Sequence, residues 1–122
     1  RPLVSVSLVK EMFEKAENVN GLIPVVPCVD TMRVLRKNGE LLEPVPGAVA
    51  DRSILYGVQT PQVFQSEILK EAYAQAYDTA FTDDASVVEK YGKNLSFVAG
   101  ERFNIKLTTP DDLKIARALI EG

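Results

Sequence analysis

Short apolar runs of strand length alternate along this chain with stretches of helical period, and that alternation constrains the fold more than any other feature. Residues 5–18, SVSLVKEMFEKAEN, place Leu8, Val9, Met12, Phe13 and Ala16 on one helical face, with Ser5 or Ser7 able to cap the start. GLIPVVPCV, residues 21–29, is apolar with two prolines, and predicts a buried or edge strand ending near Pro27. After Arg52, SILYGVQT predicts another strand. Pro61 stops its ladder, because proline has no N–H to give and holds Thr60 extended. Ser66 is expected to cap SEILKEAYAQAYD, with Ile68, Leu69, Ala72, Tyr73 and Ala76 inward. Thr82 is expected to cap the next helix, with Asp83 and Asp84 suiting its dipole and Gly92 at its end. NLSFVAG and NIKLT read as short strands. Thr109, Pro110 and Asp112 match the chemistry of a helix start, and Leu113, Ile115, Ala116, Leu119 and Ile120 supply that helix's apolar side. Strands interleaved with helices predict an α/β layered sheet, mostly parallel. About four core strands are expected, where open doubly wound sheets often have five or six.

One segment departs from this pattern. In DTMRVLRKNGELLEPVPG, residues 30–47, Asn38-Gly39 signals a hairpin with a type I′ turn, flanked by strands over 32–37 and 40–43. The hairpin is rich in charge and poor in aromatics, and a two-stranded ribbon is marginal alone in water. It either lies against something, such as a second copy of the protein, or is a solvated surface feature; the residues leave both open.

Composition removes several function classes. A length of 122 residues suits one domain. A net charge of −3 gives no basic field for nucleic acid. No apolar run reaches membrane-spanning length, and no signal peptide is read in these residues. The lone Cys28 cannot form an internal disulfide, which suggests a reducing cytoplasm, and it reads as a small apolar filler. The absence of His excludes His-based triads and His metal ligands. The first residues are Arg-Pro-Leu with no Met, from which processing, proteolysis or truncation is expected, with further strands supplied from upstream of Arg1.

No nucleophile stands beside a base. The informative residues are cations and hydroxyls at element ends: Arg1, Thr31 and Arg52 flanking the hairpin, Thr60 before Pro61, and Lys106 before the last helix. In open α/β sheets, ligands sit outside the carboxyl ends of strands. Arg offers a fork matched to phosphate, Lys a point charge and Thr a short donor, so together they suit a phosphorylated small molecule. Each also has a structural reading. Thr31 and Thr60 can bond nearby backbone, Arg52 can pair with Asp51, Arg1 can be a frayed terminus, and Lys106 can be solvated. Asp83 and Asp84 are a conceivable carboxylate pair for a metal, but helix N-terminal charge is the better account, so no metal ligand is assigned.

QTPQVF, FTDDASVVE and NIKLTTPDDL, in that order and at that spacing, resemble the 2-C-methyl-D-erythritol 4-phosphate cytidylyltransferase family, as do PCVDTMRV, ADRSILYGVQTPQVF and the opening Arg1-Pro2. The resemblance covers essentially the whole chain but implies only the C-terminal portion of one such domain. It implies a partial Rossmann-like nucleotidyltransferase sheet with a projecting β-hairpin arm, at about residues 30–52, that pairs in a homodimer. It implies transfer of CMP from CTP to the sugar phosphate with Mg²⁺, releasing pyrophosphate, in non-mevalonate isoprenoid biosynthesis. Arg1, Thr31, Arg52, Thr60 and Lys106 would bind methylerythritol phosphate, with Thr31, Arg52 or both serving across the dimer. Lys106 would act catalytically between the two phosphates. The family's Gly-rich loop and its metal-holding Asp are not among these residues. Mg²⁺ ligands are therefore expected mainly outside them, and these residues alone are expected not to turn over. The alternatives are a ribitol-5-phosphate cytidylyltransferase and a non-catalytic sugar-phosphate-binding or dimerisation module.

Overall fold

A computed structural model describes residues 1–121, which form two compact units: Arg1–Val26 with the stretch from Val58 onward, and Pro27–Gly57. In the first, α1 (Val6–Lys15) begins at Ser5, whose hydroxyl accepts the Leu8 N–H at 3.0 Å. A short 3₁₀ turn, Ala16–Asn18, follows. Leu8, Met12 and Ala16 are buried as the helical spacing predicts, but Phe13 is exposed.

The central strand is β1 (Gly21–Pro27). β6 (Ser96–Ala99) runs parallel to it, with Leu22 opposite Ser96 and Val25 opposite Ala99. β5 (Val63–Phe64) pairs antiparallel with its first residues, so that Leu22 is flanked by Val63 as well. With β4 (Tyr56–Val58) the sheet has four strands, and it mixes directions instead of being mostly parallel. The antiparallel member follows from Pro61, after which the chain reverses onto β1. Successive strand residues face opposite sides. Val63 packs with Leu8, Met12, Leu22 and Val98, whereas Phe64 packs with Ala72, Val87 and Val88. Helices therefore cover both faces: α1 on one, and α2 (Ser66–Tyr73) with α3 (Asp84–Lys90) on the other.

Several boundaries differ from expectation, each for a local reason. Helix α2 starts after Gln65 without a side-chain cap and stops at Tyr73, where the Ala74 and Gln75 N–H groups tighten onto Glu71 and Ala72 carbonyls. Asp83, not Thr82, caps α3: its carboxylate accepts the Ser86 N–H at 2.8 Å while Ser86 Oγ accepts the Asp83 N–H at 3.2 Å. NIKLT is not a strand, because the Asn104 carbonyl accepts side-chain donors in place of a ladder partner. α4 (Pro110–Glu121) starts as expected, with Thr109 Oγ1 accepting the Asp112 N–H at 3.2 Å and Asp112 Oδ2 accepting the Thr109 N–H at 3.0 Å. Of its apolar side only Ala116 is buried; Leu113, Ile115, Leu119 and Ile120 are exposed.

In the second unit, β2 (Leu35–Asn38) and β3 (Leu41–Pro44) form the expected hairpin, one residue out of the predicted turn. Asn38 pairs with Leu41, so the central residues are Gly39 and Glu40, and only Gly39 has positive φ, at 62°. Glycine first with an ordinary second residue is type II′ geometry, not type I′. The strand expected directly after Arg52 is delayed, because Asp51 accepts the Ser53 N–H at 2.9 Å and starts a 3₁₀ turn over Arg52–Ile54. Among the described residues, no helix is long and apolar enough to cross a membrane.

Candidate functional site

The first unit carries a cleft of about 440 Å³ lined by Arg1, Val58, Gln59, Thr60, Gln62, Thr82, Asp83 and Lys106. Its parts come from four places in the sequence. Arg1 begins the chain. Gln59 to Gln62 are the turn from β4 into β5, Thr82 and Asp83 open α3, and Lys106 lies in the irregular stretch before α4. Rigidity at the turn is a local consequence of Pro61.

Beneath this lining lies a small polar core. Gln59 is 5% exposed and Asn104 is 0% exposed. Gln59 Nε2 donates to the Glu101 carbonyl at 2.7 Å, and its Oε1 accepts the Glu101 N–H at 3.1 Å. Asn104 Nδ2 donates to the Thr60 carbonyl at 2.8 Å and to Gln59 Oε1 at 3.3 Å. Arg1 Nη1 donates to the Asn104 carbonyl. Glu101 in turn accepts Ser5 Oγ at 2.7 Å, which ties the cap of α1 to the same group.

The electrostatics are mixed but sided. Burial lowers the Arg1 pKa, yet its guanidinium stays charged at neutral pH. Lys106 and Thr60 are exposed on the cleft wall. For Asp83, partial burial opposes the charge, but hydrogen bonds from Gln62 and from Ser86 hold its carboxyl below the usual carboxylate range. Both its oxygens are engaged, Oδ2 by Gln62 Nε2 at 3.0 Å and Oδ1 by the Ser86 N–H. Its charge is therefore committed to the N-terminus of α3, which leaves Arg1 and Lys106 as the cations of the cleft lining.

A second cleft, of about 350 Å³, is lined mainly by Tyr73, Tyr77, Phe81 and Val87 and shares Thr82 and Asp83 with the first. Tyr73 donates to Asp84, and that hydrogen bond raises the Tyr73 pKa. This cleft contains no Lys or Arg.

Of the residues expected from sequence, Arg1, Thr60 and Lys106 share one cleft wall. Thr31 and Arg52 belong to the hairpin unit, where Thr31 is exposed and Arg52 Nη1 donates to the Val29 carbonyl at 3.2 Å. Sequence reasoning missed Gln59, Gln62 and Thr82 as lining groups and preferred helix N-terminal charge over a metal-binding pair for Asp83. The Gln-Thr-Pro-Gln run carried the signal: two amides flank a rigid Thr-Pro, Gln59 buried beneath the cleft and Gln62 donating to Asp83 on its lining. Among the described residues, no three His, Cys, Asp or Glu side chains gather as a metal site.

The family model for 2-C-methyl-D-erythritol 4-phosphate cytidylyltransferase (IspD) matches residues 1–122. Among similar curated proteins, the 2-C-methyl-D-erythritol 4-phosphate cytidylyltransferase of Phocaeicola vulgatus is 51% identical over 120 residues, covering 98% of this chain and 52% of that protein. The protein of the same name from Bacteroides thetaiotaomicron is 44% identical over 120 residues, with the same coverage. The crystal structure of the Thermus thermophilus enzyme of that name superposes with a TM-score of 0.78 at 33% identity, covering 100% of this chain and 58% of that one. The chain thus spans about half the length of the curated relatives it matches.

Proposed function

The chain belongs to the 2-C-methyl-D-erythritol 4-phosphate cytidylyltransferase family, and we propose that it forms the sugar-phosphate side of an enzyme that transfers CMP from CTP to methylerythritol phosphate. The observation that carries this reading is the convergence of Arg1, Thr60 and Lys106 on one cleft. In the proposed step an oxygen of the sugar phosphate attacks the α-phosphorus of CTP. The bond to the β-phosphate oxygen breaks, and pyrophosphate leaves with its electron pair. Two anions must approach, so cations that offset their repulsion and meet the charge developing on the transferring phosphate supply much of the acceleration. Holding the reactants in line supplies more. Arg1 and Thr60 hold the sugar phosphate, and Lys106 lies between it and the α-phosphate.

The reading includes Mg²⁺ on the nucleotide phosphates. The described residues do not make a site for it: no acidic cluster gathers, and both oxygens of Asp83 are taken. Its ligands then belong to parts of the enzyme outside these residues. The hairpin unit is read as a dimer arm, supported by Leu41 and Leu42, each 67% exposed on a ribbon with little core. Thr31 and Arg52 then serve the partner's cleft. A cytoplasmic setting accords with the single free Cys28.

The test is pyrophosphate release by the full-length protein given CTP, Mg²⁺ and either methylerythritol phosphate or ribitol 5-phosphate. Turnover of the first substrate well above the second is expected. Preference for ribitol phosphate, or no release with either, overturns the reading.

A further inference from the structure

We propose that Asn104 is a positioning residue that binds Arg1, Thr60 and the approach to Lys106 into one unit without touching ligand; this rests on the reading of the cleft given above. Asn104 is completely buried and does not line the cleft, yet it bonds to three residues that do, Arg1, Gln59 and Thr60. Its side-chain Nδ2 donates to the Thr60 carbonyl at 2.8 Å, and its backbone carbonyl accepts from Arg1 Nη1 and, at 3.3 Å, from Gln59 Nε2. Lys106 follows two residues later, so the same anchored backbone sets where that ammonium starts.

The amide orientation is fixed by its neighbours. Nδ2 faces two atoms that can only accept, the Thr60 carbonyl and Gln59 Oε1. The cost of this arrangement is visible at the other end: Asn104 Oδ1 is buried with no donor among the described residues. Leaving a buried acceptor unpaired is unfavourable, and an apolar side chain of like shape avoids that cost. A residue selected for packing alone would be apolar. An amide is needed here because Nδ2 draws the Thr60 carbonyl inward and so turns the Thr60 side of the turn toward the cleft. Gln59 supports the same geometry by using both ends of its amide on Glu101. Displacing a positioned group by even 1 Å can cost about 100-fold in rate, so a buried tether of this kind has leverage on the reaction.

The experiment is steady-state kinetics of the full-length protein with CTP and methylerythritol phosphate, comparing wild type with Asn104→Ala, the near-isosteric Asn104→Asp, and Met12→Ala. Met12 is fully buried in the separate apolar cluster under α1, so its variant matches loss of stability without touching the tether. Assays run well below the unfolding midpoints of all four proteins. Both Asn104 variants are expected to raise KM for the sugar phosphate roughly 10- to 100-fold while KM for CTP stays within about twofold. Met12→Ala should leave both KM values unchanged. A sugar-phosphate KM within about twofold of wild type in both Asn104 variants, or an equal rise in Met12→Ala, overturns the inference while leaving the function intact. Failure of both Asn104 variants to fold makes Asn104 a core residue only and also overturns it. Wild-type protein that does not use these substrates overturns the functional reading, and this inference with it.

Discussion

A Cβ added at Gly100 would lie 2.3 Å from Oε1 of Gln59, closer than any real contact, so the residue that follows β6 and the amide beneath the cleft exclude one another's growth. The Val25 carbonyl would also be 3.3 Å away, which blocks escape toward β1. Gly100→Ala is therefore expected to destabilise the fold by about 1–3 kcal/mol, as overpacking does. Urea unfolding followed by circular dichroism measures it. A midpoint equal to wild type would mean that Gln59 has somewhere else to go.

Lys106 is exposed, so its removal should cost little in folding and much in chemistry. In the full-length protein, Lys106→Ala is expected to lower kcat roughly 100-fold, on the scale of losing one donor at a developing charge. Its unfolding free energy should stay within about 0.5 kcal/mol of wild type. Near-normal turnover with an intact fold would remove Lys106 from the site.

Arg52 offers a contrasting case. If it reaches a partner's sugar phosphate, Arg52→Ala raises KM for that substrate roughly tenfold with a smaller change in kcat, because it removes binding shared by ground and transition states. The hydrogen bond to the Val29 carbonyl is local and exposed, so stability should hardly move. An unchanged KM places Arg52 outside the pocket.

Asp83 links the cleft to acid sensitivity. Its folded pKa lies below the ordinary 3.8, because Gln62 and Ser86 bond the charged form more strongly than burial opposes it. A depressed carboxyl pKa contributes stability that is fully present above the unfolded value and is lost as pH falls through the folded one. The stability difference between wild type and Asp83→Asn should thus hold from neutral pH to about 5 and shrink below about 4. Denaturation series at several pH values give the answer; a difference constant down to pH about 3 would show that the carboxylate charge is not what stabilises α3.

Gly39 tests the corrected turn. Its φ of 62° is free of neighbours within 4 Å, so Gly39→Ala meets only the intrinsic cost of a left-handed conformation, about 1–2 kcal/mol. Amide exchange in Leu35–Asn38 should quicken accordingly. Equal exchange in both proteins would place the turn elsewhere.

The elements legible in the sequence were those whose signals are local. Thr109, Pro110 and Asp112 announced α4, and the spacing of Leu8, Met12 and Ala16 announced the buried stripe of α1, because caps and helical period depend on neighbours a turn away. Of the five cations and hydroxyls singled out at element ends, Arg1, Thr60 and Lys106 line one cleft, while Thr31 and Arg52 belong to the hairpin unit. What escaped was decided by contacts between distant residues. Whether Asn104 belonged to a strand depended on Arg1 and Gln59 claiming its carbonyl. Whether Asn38 or Gly39 led the turn depended on one step of register, which the paired strands set together. Thr82 and Asp83 were equally good caps in isolation; Ser86, answering Asp83 with its own hydroxyl, chose between them.

The pairing of Leu22 with both Val63 and Ser96 also implies an order of assembly. Neither flanking strand is near β1 along the chain, so each must close a long loop before any ladder bond rewards it. Helices α2 and α3 meet across a short connection and bury Ala72, Val87 and Val88 at once. By loop-closure cost alone, the layer of α2 and α3 is expected to form before β1 gains either flanking strand.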